Sequence, residues 1–556
     1  MNARVKLLFS QKYIPAWMIM LCGGIALSIV FQRHVYLPAG HWRCFIWADQ
    51  AGYYVYLPAL FIYNFEGKAV PDEVIEKSGN GFQADTVNNK IITQYTYGVA
   101  LLQSPFFLLG HAVHTLLKGF GNGNGFGLAY IYALYLSGVF WGCLGLYCLW
   151  GFLRVQYGAK TALISVVFLW ASTPLLYYHS ENGAMSHIYS FAIFSYLLYA
   201  GQKLKTLNAL KAFALGGICA LAFLIRPTSA LAIIWIGLYF WFGLRQREWI
   251  QLLRPKYWIW ISLAVLIVLF PQLLYWKYLS GSWIYYSYKE QTFSNLLHPE
   301  IIKFWFSPKN GLFPYAPVWL LICLILIFDS LKRNWTSFSL LLLFVGSSYL
   351  FSSWFIWYFG CGFGSRNHVE YIAFAAIPFT HWLKKVQGKY NLWQKTFVYM
   401  LLCLFLLIPM KLFHGYRKCF FGQDDWDWKE YIYQLERKDI QFLPEIKSEL
   451  INDRVIPLQT FKMNAKSNVS IRECIIEVEI EYPEVKEEDV FLIFQNNLQG
   501  EERFYSKIFI KNYSLGKQYF YYEFSLNKNP ESFWFVSIYN PNRHPLKPGK
   551  FRITMR

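Results

Sequence analysis

A chain of 556 residues that is 55% hydrophobic, 20% aromatic and 15% charged is too apolar for a soluble protein of this size, where charged residues make up about a quarter. Its net charge of +19 would point to nucleic acid in a soluble protein. Here Lys and Arg gather in short loops between apolar runs, as orientation by the positive-inside bias requires. Composition therefore excludes a soluble enzyme and a nucleic-acid binder, and it leaves an all-α polytopic membrane domain.

The first apolar run, about 14–32, follows Arg4, Lys6 and Lys12. It is longer than the core of a signal peptide, and Gln32-Arg33-His34 follows it in place of small residues, so it reads as an uncleaved span. Further spans are expected near 128–152, 161–178, 187–201, 212–225, 228–244, 257–276, 312–330, 336–353, 368–383 and 396–413, about eleven in all. Residues 94–117 are ambiguous. Gln103, Pro105, His111 and His114 suit a helix lying in the interface, and laying it flat places five later basic loops on the side of the N-terminus. The N-terminus is then cytoplasmic, and residues 33–126 form a long outer loop with interfacial helices. Cys22, Cys143, Cys148, Cys219, Cys323 and Cys403 fall within spans, whereas Cys44, Cys361, Cys419 and Cys474 fall outside and are open to pairing.

The transmembrane part is expected to end near residue 413, and residues 414–440 form a junction rich in Asp and Trp. Residues 441–556 then carry six or so alternating apolar runs, among them IIEVEIEY, YFYYEFSL and FWFVSIY, separated by Asn, Pro and Gly. That pattern suggests a C-terminal β-sandwich on the outer side.

Five segments carry candidate chemistry. In Trp47-Ala48-Asp49-Gln50, followed by Tyr53 and Tyr54, an acidic residue stands among aromatics at the membrane surface. Such a carboxylate costs free energy unless its charge is needed, and a general base is one such need; a solvated loop Asp is the plain alternative. The loop 177–187 holds Glu181 and His187, which could position an acceptor. As metal ligands they are a weak signal, so no metal site is indicated, although a divalent ion stays open there. Arg226, before Pro227 and between two spans with almost no loop, either snorkels to headgroups or grips an anion; its forked donors suit phosphate. Lys309 is a second candidate phosphate contact, or an ordinary interfacial Lys. Finally, Gly360, Gly362 and Gly364 lead into Arg366, a turn that lets backbone approach a lipid phosphate closely.

These segments, in this order, resemble those of integral-membrane glycosyltransferases of the GT-C fold, in particular the branch holding protein O-mannosyltransferases and aminoarabinose transferases. The resemblance covers roughly residues 10–413 and not the β-domain. It implies an enzyme in a bacterial cytoplasmic membrane that transfers a hexose or pentose from a polyprenyl-phosphate donor to a glycan, lipid or protein acceptor on the outer face. It also implies Asp49 as catalytic base, Glu181 as a second acidic position and 94–117 as an interfacial helix. Inversion at the anomeric carbon is the expected outcome, with Arg226, Arg366 and Lys309 on the donor phosphate. Gln50, Tyr53, Tyr54, Tyr97 and His187 are expected to line the substrate. Two departures stand out: Gln50 follows Asp49 where O-mannosyltransferases carry a second acid, and Gln94-Tyr95-Thr96-Tyr97 replaces the Lys of aminoarabinose transferases. The rival readings are a transporter or flippase, an oligosaccharide ligase, and a scaffold whose β-domain does the binding; the chain shows no internal repeat of the kind many transporters carry.

Overall fold

The computed structural model describes residues 14–34, residues 46–436 apart from 80, 120–122, 244–248, 250, 253 and 417–425, and strands lying between 440 and 555. Arg4, Lys6, Lys12, Cys44 and Cys419, used in the sequence reading, lie outside the described residues. The described chain is mostly helical. Its described residues divide into two compact units, one holding those up to Val30 and from Ile46 to Leu435, the other Phe31–His34 and those from Glu436 on.

In the first unit every expected span coincides with a helix or a closely broken pair. Gly98–Lys118, Leu128–Tyr157, Pro255–Ser280, Trp335–Ser352 and Leu392–Gly415 are long and apolar enough to cross a bilayer. Shorter apolar helices accompany them, including Ala159–Ala171, Ala209–Ile225 and Val318–Leu331. The protein is a multi-pass membrane protein. The stretch expected to lie in the interface is one continuous 21-residue helix, Gly98–Lys118, among those long enough to cross. The polar residues that argued for a surface position are used for packing: Gln103 is fully buried and donates to Ala184 O and Tyr189 OH (both 3.2 Å), and His111 Nδ1 lies 2.6 Å from Tyr130 OH.

The 30-residue helix Leu128–Tyr157 organises the unit through a face of glycines. A Cβ on Gly138 would sit 2.4 Å from Gly183 O, one on Gly142 2.1 Å from the His179 ring, and one on Gly145 2.7 Å from Phe191. Small residues on that face let the turn 180–185 and the helix Ser186–Gln202 approach to backbone distance, as helices packing in lipid require. His179 is held there, receiving the Trp170 indole N–H at 2.9 Å.

Two breaks bring polar residues to the same end of the unit. The helix Ala209–Ile225 stops at Arg226, whose φ of −153° is extended, and Pro227 follows; Ser229 opens the next helix. The late helix begins at Ile372, four residues after the expected start, because the turn Arg366–His368 precedes it; Glu370 therefore lies in the connecting segment. In the first loop, a hairpin pairs Gln83–Asp85 with Lys90–Ile92, its turn held by Asp85 Oδ1 accepting from Val87 N and Asn88 N at 3.0 Å.

The second unit contains two four-stranded antiparallel sheets. One orders Ile440–Phe442, Lys547–Met555, Glu473–Tyr482 and Gly516–Ser525. The other orders Val455–Lys462, Phe533–Tyr539, Phe491–Leu498 and Glu501–Phe509. Every pairing is antiparallel, and the long Glu473–Tyr482 and Gly516–Ser525 pair runs in unbroken register from Glu473↔Ser525 to Tyr482↔Gly516.

Candidate active site

Asp49 is the first residue of the short helix Asp49–Tyr54. The turn before it is tight: Ala48 has a φ of 49°, and its N–H donates to Ser78 O at 2.9 Å. Gly81 is obligatory beside it, since a Cβ there would lie 2.0 Å from Ala48 O. The carboxylate so placed is gripped on both oxygens. Tyr95 OH donates to Oδ1 at 2.6 Å, and Arg366 Nη1 pairs with Oδ2 at 2.8 Å. Gln94 Nε2 in turn donates to Tyr95 OH at 3.0 Å, and the Tyr53 ring packs on the Tyr95 ring with centroids 4.2 Å apart.

Arg366 arrives through the glycine turn. Gly360 and Gly364 both have a φ of 66°, a left-handed conformation that glycine adopts without steric cost. Asn310 frames this turn, donating to Tyr358 O at 3.2 Å and Gly360 O at 3.0 Å and accepting from Gly364 N at 3.0 Å. Cys361, in the same turn, is disulfide-bonded. Burial by itself would lower the Arg366 pKa, but the Asp49 carboxylate, together with Tyr178, Tyr95 and Tyr53, more than offsets this and holds the guanidinium charged.

A second cluster is more deeply buried. Glu370, 2% exposed, receives Arg226 Nε on Oε1 at 3.4 Å and meets His187 Nδ1 with Oε2 at 3.0 Å. Arg226 also lies 2.9 Å from His187 Nδ1 and donates to Asn367 Oδ1 at 2.6 Å. Burial raises the Glu370 pKa to about 7, against the pull of Arg226 in the other direction. A guanidinium so close to the imidazole makes His187 a poor place for a metal ion. Tyr178 stands between the two clusters. Its ring meets His187 edge-on with centroids 5.0 Å apart, and a Cβ on Gly362 would lie 3.0 Å from its hydroxyl. Tyr178 and Tyr53 both feel the charges of Asp49, Arg226 and Arg366.

The described contacts thus join Asp49 to Arg366 and Arg226 to His187. They place Tyr53 beside both pairs and tie Gln50 to Asn182, which donates to Tyr177 OH at 2.7 Å. Other expected site residues go elsewhere. Tyr54 is fully buried, its hydroxyl 2.5 Å from Gly125 O and its ring against Phe107 and Phe126, so its contacts pack the first loop. Tyr97 donates to Val268 O at 2.5 Å and its N–H meets Gln272 Oε1 at 3.0 Å, which docks it on the helix Pro255–Ser280. Glu181 sits in the turn after His179, its charge acting on Tyr177 and Tyr416. Lys309 is half-buried in the loop that frames the glycine turn, its N–H on Ser307 Oγ at 3.1 Å.

Three residues of the arrangement escaped the sequence reading. Tyr95 was passed over within an aromatic run. Glu370 fell inside what read as the start of a span, and Asn367 just before it. An acid at such a start was itself a signal, because a carboxylate there needs a partner.

No curated protein and no solved structure matches the chain. Residues 88–295, running from the hairpin of the first loop to beyond the helix Pro255–Ser280, match the model of the Alg9-like mannosyltransferase family. Over that stretch the chain is similar to a family of GT-C type membrane glycosyltransferases, the class that its ordered motifs resemble.

Proposed function

We propose that the protein transfers a sugar, of the hexose class that the matched family's name implies, from a polyprenyl-phosphate donor to an acceptor hydroxyl, with inversion at the anomeric carbon. The observation that carries this reading is the ion pair of Asp49 and Arg366, set beside the Arg226 cluster. It supplies one carboxylate for a proton and two guanidiniums for a phosphate within one neighbourhood.

In the resting state Arg366 neutralises Asp49. A donor phosphate competes for the same guanidinium, and when it takes Arg366 the carboxylate is released toward the acceptor. Asp49 then accepts the hydroxyl proton as the acceptor oxygen bonds to the anomeric carbon and the bond to the lipid phosphate breaks. The leaving phosphate keeps that electron pair, and Arg366 and Arg226 stabilise the charge that develops on it. Glu370, His187 and Asn367 hold Arg226 from behind. Lys309, beside the Asn310 that frames the glycine turn, is assigned a further contact to the phosphate. Glu181 is kept as a secondary acidic position, on the Tyr177 side.

We place the site on the extracytoplasmic side of a bacterial cytoplasmic membrane. The disulfide at Cys361 supports this, since disulfides persist in oxidising compartments, as does the collection of basic residues in the opposite loops. The two C-terminal sheets, with strands that alternate apolar and polar residues, are read as the faces of one sandwich on that same side.

The test is to incubate the purified protein with polyprenyl-phosphate hexoses and follow release of free polyprenyl phosphate together with the anomeric configuration of the product. Release with inversion supports the reading. Retention of configuration removes the single-displacement scheme, and absence of release with every donor favours the flippase or scaffold readings.

A further inference from the structure

The hairpin of the first loop and the segment 287–291 enclose a half-open cleft of about 380 Å³. Its wall includes Phe82, Gln83, Gln94, Tyr288, Glu290 and Gln291. The two sides are fastened together by Ser287 Oγ donating to Gln94 O at 2.6 Å. The lining is unlike the arginine clusters. Amides that both donate and accept stand beside an aromatic ring on each wall, and Lys289 and Glu290 leave little net charge. With Glu290 beside Lys289 the lining carries no net positive charge to hold an anion, and a purely apolar ligand would strand the amides. A sugar suits both features, since its hydroxyls pair with amides and carboxylate while the C–H face of its ring lies on an aromatic face.

The cleft is also wired to the reaction centre. Gln94, on its wall, donates to Tyr95 OH at 3.0 Å, and that hydroxyl donates to Asp49 Oδ1 at 2.6 Å. Tyr288, on the opposite wall, stands edge-on to the Tyr95 ring with centroids 6.0 Å apart. A ligand in the cleft therefore lies two hydrogen bonds from the carboxylate assigned to take the acceptor proton. The volume falls at the lower end of the roughly 300–1,000 Å³ range of small-molecule pockets. It admits a short saccharide and not a folded peptide.

We propose that this cleft is the acceptor subsite and that the acceptor is a neutral saccharide, bound with its reactive hydroxyl toward Asp49. The acceptor role rests on the glycosyl-transfer reading above, whereas the saccharide site itself does not. Gln94 is a positioning residue that couples occupancy of the cleft to the orientation of Tyr95, and Glu290 and Gln291 supply binding. Among the described residues neither side chain has a hydrogen-bond partner: Gln291 contributes backbone groups to its turn, accepting from Tyr286 OH at 2.6 Å and donating to Tyr288 O at 3.0 Å.

The experiment uses the full-length protein in detergent and saturation-transfer NMR with a panel of disaccharides built from glucose, galactose, mannose and N-acetylglucosamine, without donor. Wild-type protein is expected to bind at least one of them, and the Glu290→Ala, Gln291→Ala double variant to bind it about ten-fold more weakly, as loss of one or two hydrogen bonds, one to a charged group, implies. Release of polyprenyl phosphate by the wild-type protein, measured alongside, tests the transferase reading separately. Binding of none of the sugars, or equal binding by variant and wild type, overturns the proposal. Weakened binding in a protein that turns over no donor would instead leave the saccharide site standing and remove the transferase reading.

Discussion

Asp49 Oδ2 and Arg366 Nη1 are 2.8 Å apart, although 317 positions separate them in the chain (366 less 49), so the residues proposed as base and as phosphate ligand are each other's partner in the free protein. Under the proposed reaction Arg366 cannot serve both anions at full strength, and donor binding and release of the base are one event.

Removing the competing carboxylate should therefore tighten the hold on the lipid anion. Asp49→Asn is expected to bind sugar-free polyprenyl phosphate about ten-fold more tightly than wild type, read by thermophoresis. Weaker or unchanged binding would mean that the pair is structural and is not opened by the donor.

Arg366→Lys keeps the charge but loses the fork that can reach a carboxylate and a phosphate oxygen together. Its donor KM should rise about ten-fold or more, while the thermal midpoint stays close to wild type. A KM equal to wild type would show that only a point charge is needed there.

Tyr95→Phe deletes the hydroxyl that fixes Asp49 Oδ1 at 2.6 Å without changing the ring that packs on Tyr53. Turnover should fall about ten-fold with little change in donor KM, since the lost bond, about 1.5 kcal/mol for a charged acceptor, orients the base and not the donor. A rise in KM with unchanged turnover would place Tyr95 in donor binding instead.

Glu370 gives a pH signature. Its folded-state pKa of about 7 lies above the ordinary carboxyl value of 4.5, because burial outweighs the pull of Arg226. The folded protein therefore holds a proton that the unfolded chain gives up. That contribution is complete below the unfolded value and is lost as pH rises through about 7. Between about pH 4.5 and about pH 8, the thermal midpoint of wild type should fall relative to that of Glu370→Gln, with the slope ending near neutrality. Parallel curves would show that Glu370 stays ionised beside Arg226 throughout.

How much of this could be read from residues alone differs from element to element. The spans were legible because a bilayer imposes length and apolarity, and helices stand at each expected place. The flat placement of 94–117 rested on the charge of the later loops and on polar residues; Gly98–Lys118 is one continuous helix long enough to cross, and Gln103 and His111 find partners on neighbouring elements. Asp49, Arg226 and Arg366 stood out because a charge at a span end needs a reason. Their pairing could not be read, since nothing in sequence spacing says that residue 366 folds against residue 49. Tyr54 and Tyr97 looked like neighbours of the site by proximity along the chain, yet short helical turns direct them to Gly125 and Val268. The glycines at 138, 142 and 145 carry the packing that brings His187 to Arg226, and a spacing of three and four residues on one helix was visible in advance without its partner.

The most direct measurement compares sugar transfer by wild type and Asp49→Asn, counting free polyprenyl phosphate released per protein in reconstituted vesicles. The account predicts a loss of about 10²- to 10⁴-fold in the variant, the usual worth of a positioned general base, with donor still bound. Equal release by the two proteins would contradict it, because proton removal would then belong to another group.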